Sequence, residues 1–182
     1  MEQAVKERFA AIWPMIGHTP LLELKYTFRG RRRRLFAKAE AYNLTGSIKD
    51  RVALYILEKA YENGTIRPGD TIAEATSGNT GISFSALGRY LGHPVTIYMP
   101  DWMSRERIAL MESYGATVHL VSREEGGFLG SIQMTEDFAK KGSVFLPCQF
   151  SNEDNTAAHM ETTGTEIVMQ LKSCGLTADG VV

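Results

Sequence analysis

The chain has 182 residues, 43% of them hydrophobic and 23% charged, with a formal net charge of −1, which is the make-up of an ordinary globular protein long enough for one substantial core and part of a second. So even a charge balance gives no general steering toward nucleic acid or an anionic membrane, and no apolar run approaches membrane-spanning length. The opening Met1-Glu2-Gln3-Ala4-Val5-Lys6-Glu7 lacks the basic-then-apolar order of a secretion signal, so a cytoplasmic protein is expected.

In chain order, the pattern predicts a helix near Glu2–Ile12, then extended runs at Leu21–Tyr26 and Leu35–Glu40 that form a hairpin. Between those runs lies Arg29-Gly30-Arg31-Arg32-Arg33-Arg34, read as a solvated turn in preference to a polyanion site. A long helix is expected from about Ser47 to Glu62. From Thr71 onward, strands and helices alternate: Thr71–Ala75, Asn79–Leu91, Val95–Met99, Ser104–Tyr114, Thr117–Val121, Gly127–Lys140, Val144–Leu146 and Thr156–Leu171. A last apolar run, Gly180–Val182, reads as a strand cut short. Ile82, Leu87 and Leu91, and then Ile108, Leu110, Met111 and Tyr114, fit one buried helix face each, with stops at Gly92-His93-Pro94 and Gly115. Such alternation predicts an α/β fold of βαβ units on a parallel sheet, with right-handed crossovers placing helices on both faces.

Chemistry concentrates in two blocks. Asn43-Leu44-Thr45-Gly46-Ser47-Ile48-Lys49-Asp50-Arg51 sets a lysine at the first turn of a helix behind turn and capping residues. Held in a cleft, Lys49 can form a Schiff base with an aldehyde, and partial desolvation lowers its pKa toward the nucleophilic neutral amine. Asp50 and Arg51 read as local structure: the aspartate suits the helix dipole, and the arginine pairs with a nearby carboxylate. Glu74-Ala75-Thr76-Ser77-Gly78-Asn79-Thr80-Gly81 then lies between a short strand and a helix, so its amides and hydroxyls converge on a helix N-terminus that can bind a carboxylate. Taken alone, Ser77 and Asn79 would be ordinary caps; capping and anion binding use the same unpaired groups. The four histidines and two cysteines show no metal-ligand spacing, so no structural zinc is expected. Cys148 and Cys174 read as free thiols, Cys148 being a small buried residue at a strand end.

These blocks, with Ile16-Gly17-His18-Thr19-Pro20-Leu21, Met99-Pro100, Met103-Ser104-Arg105-Glu106-Arg107, Gln149-Phe150-Ser151-Asn152 and Thr162-Thr163-Gly164-Thr165-Glu166-Ile167, resemble the cysteine synthase and cystathionine β-synthase family of pyridoxal phosphate enzymes of fold type II. The resemblance implies pyridoxal 5'-phosphate as cofactor. Lys49 is then its covalent anchor and the catalytic base, and Asn79 the partner of its ring hydroxyl. Thr76, Ser77, Gly78, Thr80 and Gln149 contact the substrate carboxylate, and Phe150 serves as pocket wall or core aromatic. It implies β-replacement on a serine derivative, first O-acetylserine with sulfide giving cysteine and acetate. Serine with homocysteine, or release of sulfide from cysteine, stand as alternatives, and the Glu124–Gly130 stretch departs from the usual cysteine synthase form. Dehydratases of the same fold carry a histidine where this chain has Thr80, and a nucleotide-binding Gly-x-Gly-x-x-Gly turn is absent.

The same resemblance implies a small amino-acid substrate, a sulfur nucleophile and a homodimer, with no nucleic acid or membrane partner. It divides the chain into residues 1–42 of a larger subdomain, a mobile small subdomain at 43–146, and residues 147–182 opening the rest of the larger one. Family members continue past this length to a glycine- and threonine-rich loop for the cofactor phosphate, so an N-terminal piece of a longer enzyme is expected. A non-catalytic fragment or binding module is the alternative of another class.

Overall fold

A computed structural model describes all residues from Met1 to Val182. Helix α1 (Gln3–Ile12) runs through a short 3₁₀ turn at Trp13–Met15 into a hairpin of β1 (Leu21–Phe28) and β2 (Arg31–Lys38), whose register pairs Leu21 with Lys38 and Phe28 with Arg31. The hairpin is longer than its sequence suggested. Only Arg29 and Gly30 form the turn, both at positive φ, and Arg31–Arg34 stand inside β2, a correction to their reading as a turn. The cause is pairing: each of these arginines faces a β1 residue whose side chain alternates across the pleat. Leu22, Leu24, Tyr26, Phe28 and Leu35 share one face of the hairpin and remain exposed.

Helix α2 (Lys49–Asn63) leads to the parallel sheet of β3 (Thr71–Ala75), β4 (Val95–Pro100), β5 (Thr117–Val121) and β6 (Val144–Phe145), in spatial order β5-β4-β3-β6. Between them run α3 (Asn79–Leu91), α4 (Arg105–Ser113) and α5 (Gly127–Ala139). The central strand β4 is buried along its whole length, as a continuously apolar parallel strand should be. Because β3, β4 and β5 step one way and β6 returns to the other side of β3, right-handed crossovers put α3 and α4 on one face and α5 on the other. A core of 22 buried residues joins α1 (Val5, Phe9, Ile12), α2 (Val52, Leu54, Ile56, Leu57), α3 (Ile82, Phe84, Leu87) and Met111 of α4 to Ile72, Ile97 and Met99 of the sheet. Leu110, expected on the buried face of α4, is exposed.

The last helical stretch has three parts: α6 (Asp154–Ala158), a π-helical turn at His159–Gly164 and α7 (Thr165–Ser173). A π turn has no signature in apolar spacing, and such turns are common at functional sites. The expected strand at Gly180–Val182 is not formed, since no neighbouring strand lies there to pair with it.

Candidate active site

Two turns that carry candidate site residues sit at the C-terminal ends of neighbouring strands. Thr76–Gly78 follows β3 and Leu146–Gln149 follows β6, and β3 is where the strand order reverses. Open α/β sheets present their ligand crevice at such a reversal. The position of the candidate site therefore follows from topology before any side chain is considered.

Lys49 is the first residue of α2, and its backbone amide donates to Ser47 Oγ at 3.2 Å. The half-buried side chain makes no hydrogen bond or ion pair, so its amine stays available. Its neighbours fix the helix start. Asp50, with no exposed surface, accepts from the Thr45 amide at 2.7 Å, from the Thr45 hydroxyl, and from Ser83 Oγ at 2.6 Å. The single Ser83 hydroxyl hydrogen is shared with the Asn79 carbonyl, 3.0 Å away. One chain of hydrogen bonds thus runs from the residue after Lys49 to Asn79, and brings the two sequence blocks together.

Arg51, also without exposed surface, reaches Glu40 at 2.7 and 2.9 Å and Glu166 at 2.7 and 2.9 Å, with Thr19 Oγ1 at 3.2 Å. Lys38 completes the network, 2.6 Å from Glu166. Burial pushes the Glu166 carboxyl up, but hydrogen bonds from Arg51, Lys38 and the His18 amide outweigh it and bring the group down to about 2. The carboxylate partner expected of Arg51 is therefore two carboxylates, one from the segment before α2 and one from α7. They clamp the start of α2 from both sides.

In the second block, Thr76, Gly78 and Thr80 are buried while Ser77 and Asn79 are exposed at the start of α3. Gly78 permits close approach: a Cβ there would lie 2.7 Å from a guanidinium nitrogen of Arg107. Arg107 in turn donates to the Ser77 carbonyl at 3.2 Å. Thr80 Oγ1 donates to Gln149 Oε1 at 2.6 Å, and Gln149 Nε2 donates to the Ala75 carbonyl at 3.3 Å. Gln149 is thus joined to the second block across 69 residues of chain.

Sequence reasoning overlooked two residues here. Arg107 lies in a quoted block but gives no sign of reaching Ser77, since only the docking of α4 against α3 brings it there. His159 stands on the π turn with Nδ1 3.1 Å from Thr163 Oγ1. Burial lowers its pKa, and the positive charges of Lys49 and Arg51 act in the same direction, so a neutral imidazole shares the neighbourhood of the lysine. Two other readings need correction. Cys148 is exposed and left-handed (φ 51°), because the chain turns sharply after β6, so it is not a buried strand-end residue. Phe150 is largely exposed and meets Phe128 edge-on at 5.5 Å, so it belongs to no core. Cys148 and Cys174 are both free thiols.

Comparison with known proteins gives the family. Residues 12–182 match the family described as pyridoxal-phosphate dependent enzyme. The chain belongs to that family. It is 42% identical over 155 residues to cysteine synthase B of Escherichia coli, covering 85% of this chain and 51% of the relative. A hydrogen sulfide-producing enzyme of Fusobacterium nucleatum has a solved structure that superposes with a TM-score of 0.93 at 56% identity, over 96% of this chain and 53% of that one. Cysteine synthase of Entamoeba histolytica superposes with a TM-score of 0.77 at 38% identity, over 87% and 48%. The chain therefore spans about half the length of the relatives it matches, and its α/β architecture is that of the corresponding part of fold type II pyridoxal phosphate enzymes.

The donor set suits that cofactor: an unpaired amine at Lys49 for its aldehyde, and an exposed amide at Asn79 for its phenolic oxygen. No group of three or more His, Cys, Asp or Glu side chains is placed to hold a metal ion, and no helix is long and apolar enough to cross a membrane.

Proposed function

We propose that this chain carries the substrate-side half of a pyridoxal phosphate-dependent enzyme that exchanges the Cβ substituent of a serine-type amino acid, with cysteine synthesis from O-acetylserine and sulfide as the leading reaction. The observation that supports it best is the set of hydrogen bonds from Ser83 to Asp50 and to the Asn79 carbonyl, which ties the helix start that carries Lys49 to the start of α3. Bound there, the cofactor supplies an electron sink for negative charge at the substrate Cα. Lys49 would anchor it, and its Nζ would serve as the base for the α-proton. Asn79 donates its side-chain amide to the ring oxygen and keeps the ring aligned. Ser77, through its unpartnered amide and hydroxyl, holds the substrate carboxylate at the start of α3, while Thr76 and Gly78 shape that turn and Thr80 fixes Gln149 beside it.

Residues 43–146 act in this proposal as a mobile unit between 1–42 and 147–182, and the enzyme works as a homodimer. A second reading, release of sulfide from cysteine by the same Lys49 chemistry, draws support from the 56% identity to the Fusobacterium nucleatum enzyme.

The test is incubation with pyridoxal phosphate, borohydride reduction and peptide mapping. One reduced adduct on Lys49 is expected. An adduct on another lysine, or none on folded protein, overturns the site. Cysteine formed from O-acetylserine and sulfide, against sulfide released from cysteine, then separates the two readings.

A further inference from the structure

One buried titratable group lies next to the candidate site without belonging to it. Glu74, the fourth residue of β3, is 4% exposed. Its Oε1 accepts the Ala75 amide at 3.1 Å and its Oε2 accepts the Gln149 amide at 3.3 Å. The Cys148 amide acts on the same carboxyl. The Pro147–Gln149 segment therefore wraps a carboxylate at the end of β3, and it does so through a strained residue, since Cys148 is left-handed although it is not glycine. Beyond that wrap, Gln149 bonds Thr80 and the Ala75 carbonyl.

We propose that Glu74 is a positioning residue: its carboxylate latches the Pro147–Gln149 segment onto β3, and gain or loss of its proton moves Gln149 relative to Thr80. An ionised carboxylate only accepts, so both of its oxygens can serve the converging amides. Protonation turns one oxygen into a donor facing N–H groups, and the latch loses a partner. Nothing else neutralises the group. The titratable side chain that feels its charge is the Cys148 thiol on the wrapping segment, which, although the residue is exposed, is raised by partial desolvation and by the carboxylates of Glu74 and of Glu136 on α5. Neither β6 nor α3 brings a cation that pairs with it. Burial, only partly offset by the amides, pushes Glu74 up to about 7, so the latch changes state near neutral pH. The consequence for substrate rests on the reading of Gln149 as a carboxylate contact; the latch itself does not.

The experiment follows the Ala75 and Gln149 amide resonances of the full-length ¹⁵N-labelled protein, free of cofactor, from acid to alkaline pH. Both are expected to move with one shared midpoint near neutrality, and the movement is expected to vanish in Glu74→Gln. Amides that stay still, or that titrate unchanged in Glu74→Gln, overturn the latch. Should that variant fail to fold, the native titration alone decides, because a shared midpoint in the ordinary carboxylate range also overturns it. Calorimetry with L-serine on the cofactor-loaded protein reads the consequence: a gain in affinity between pH 6 and 8 up to about ten-fold steeper in the native protein than in Glu74→Gln. Equal slopes with titrating amides would leave the latch standing and remove Gln149 from the substrate site.

Discussion

Replacing Glu166 by glutamine probes how firmly α2, and with it Lys49, is held. Glu166 takes hydrogen bonds from Arg51 at 2.7 and 2.9 Å, from Lys38 at 2.6 Å and from the His18 amide at 2.9 Å. Its carboxyl sits at about 2 against an ordinary 4.5. At about 1.4 kcal/mol per pKa unit, that difference is worth at most about 3 kcal/mol, and solvent at the rim of the network screens it to about 2. The folded-state pKa is depressed, so the stabilisation is fully present above pH 4.5 and is lost as the pH falls through 2. Urea unfolding at pH 7, 4 and 2.5 is the assay. Between pH 7 and 2.5 the native protein should lose about 2 kcal/mol more than Glu166→Gln does, while at pH 7 the variant is already weaker by a similar amount. Parallel pH dependence in the two proteins would refute the reasoning, because it would mean that Glu166 gains nothing from Arg51 and Lys38. Arg51→Met should cost more, about 3–5 kcal/mol, since it leaves both Glu40 and Glu166 without their main partner.

Glu74 should give the opposite slope: its raised pKa means that the folded state holds the proton longer, so stability falls as pH rises from 4.5 through about 7, by about 3 kcal/mol in total. Glu74→Gln should remove that decline in the same unfolding series. Asp50→Asn leaves the Thr45 amide and hydroxyl and Ser83 competing for one acceptor oxygen, which should cost about 1–3 kcal/mol and speed hydrogen exchange at the Thr45 amide. Gly81→Ala places a Cβ 2.7 Å from Thr76 Cγ2 and 2.9 Å from Met111 Sδ, so thermal unfolding should show a loss of about 1–3 kcal/mol. Lys49→Ala should remove the reducible adduct yet change stability by less than about 0.5 kcal/mol, because the Lys49 side chain holds nothing in place.

The sequence by itself determined the alternation of strands and helices from Thr71, the helix that begins at Lys49 and the turn that opens at Thr76. Apolar periodicity, capping residues and glycine stops are local signals, and they act within a few residues of the structure they specify. It also marked Lys49 and Asn79, because a lysine at a helix start and a polar turn between strand and helix are chemical patterns legible in one dimension. What it could not specify was everything that depends on which distant segments meet. Arg51 found Glu166 across 115 residues and Glu74 met the Gln149 amide across 75, pairings that the strand order β5-β4-β3-β6 and the packing of α6 and the π turn against α2 decide. The arginines of β2 became strand because each pairs with a β1 residue while its side chain stays in water, and a π turn formed at His159–Gly164. Local chemistry marked Lys49 as the candidate; long-range packing set the charges and the histidine around it.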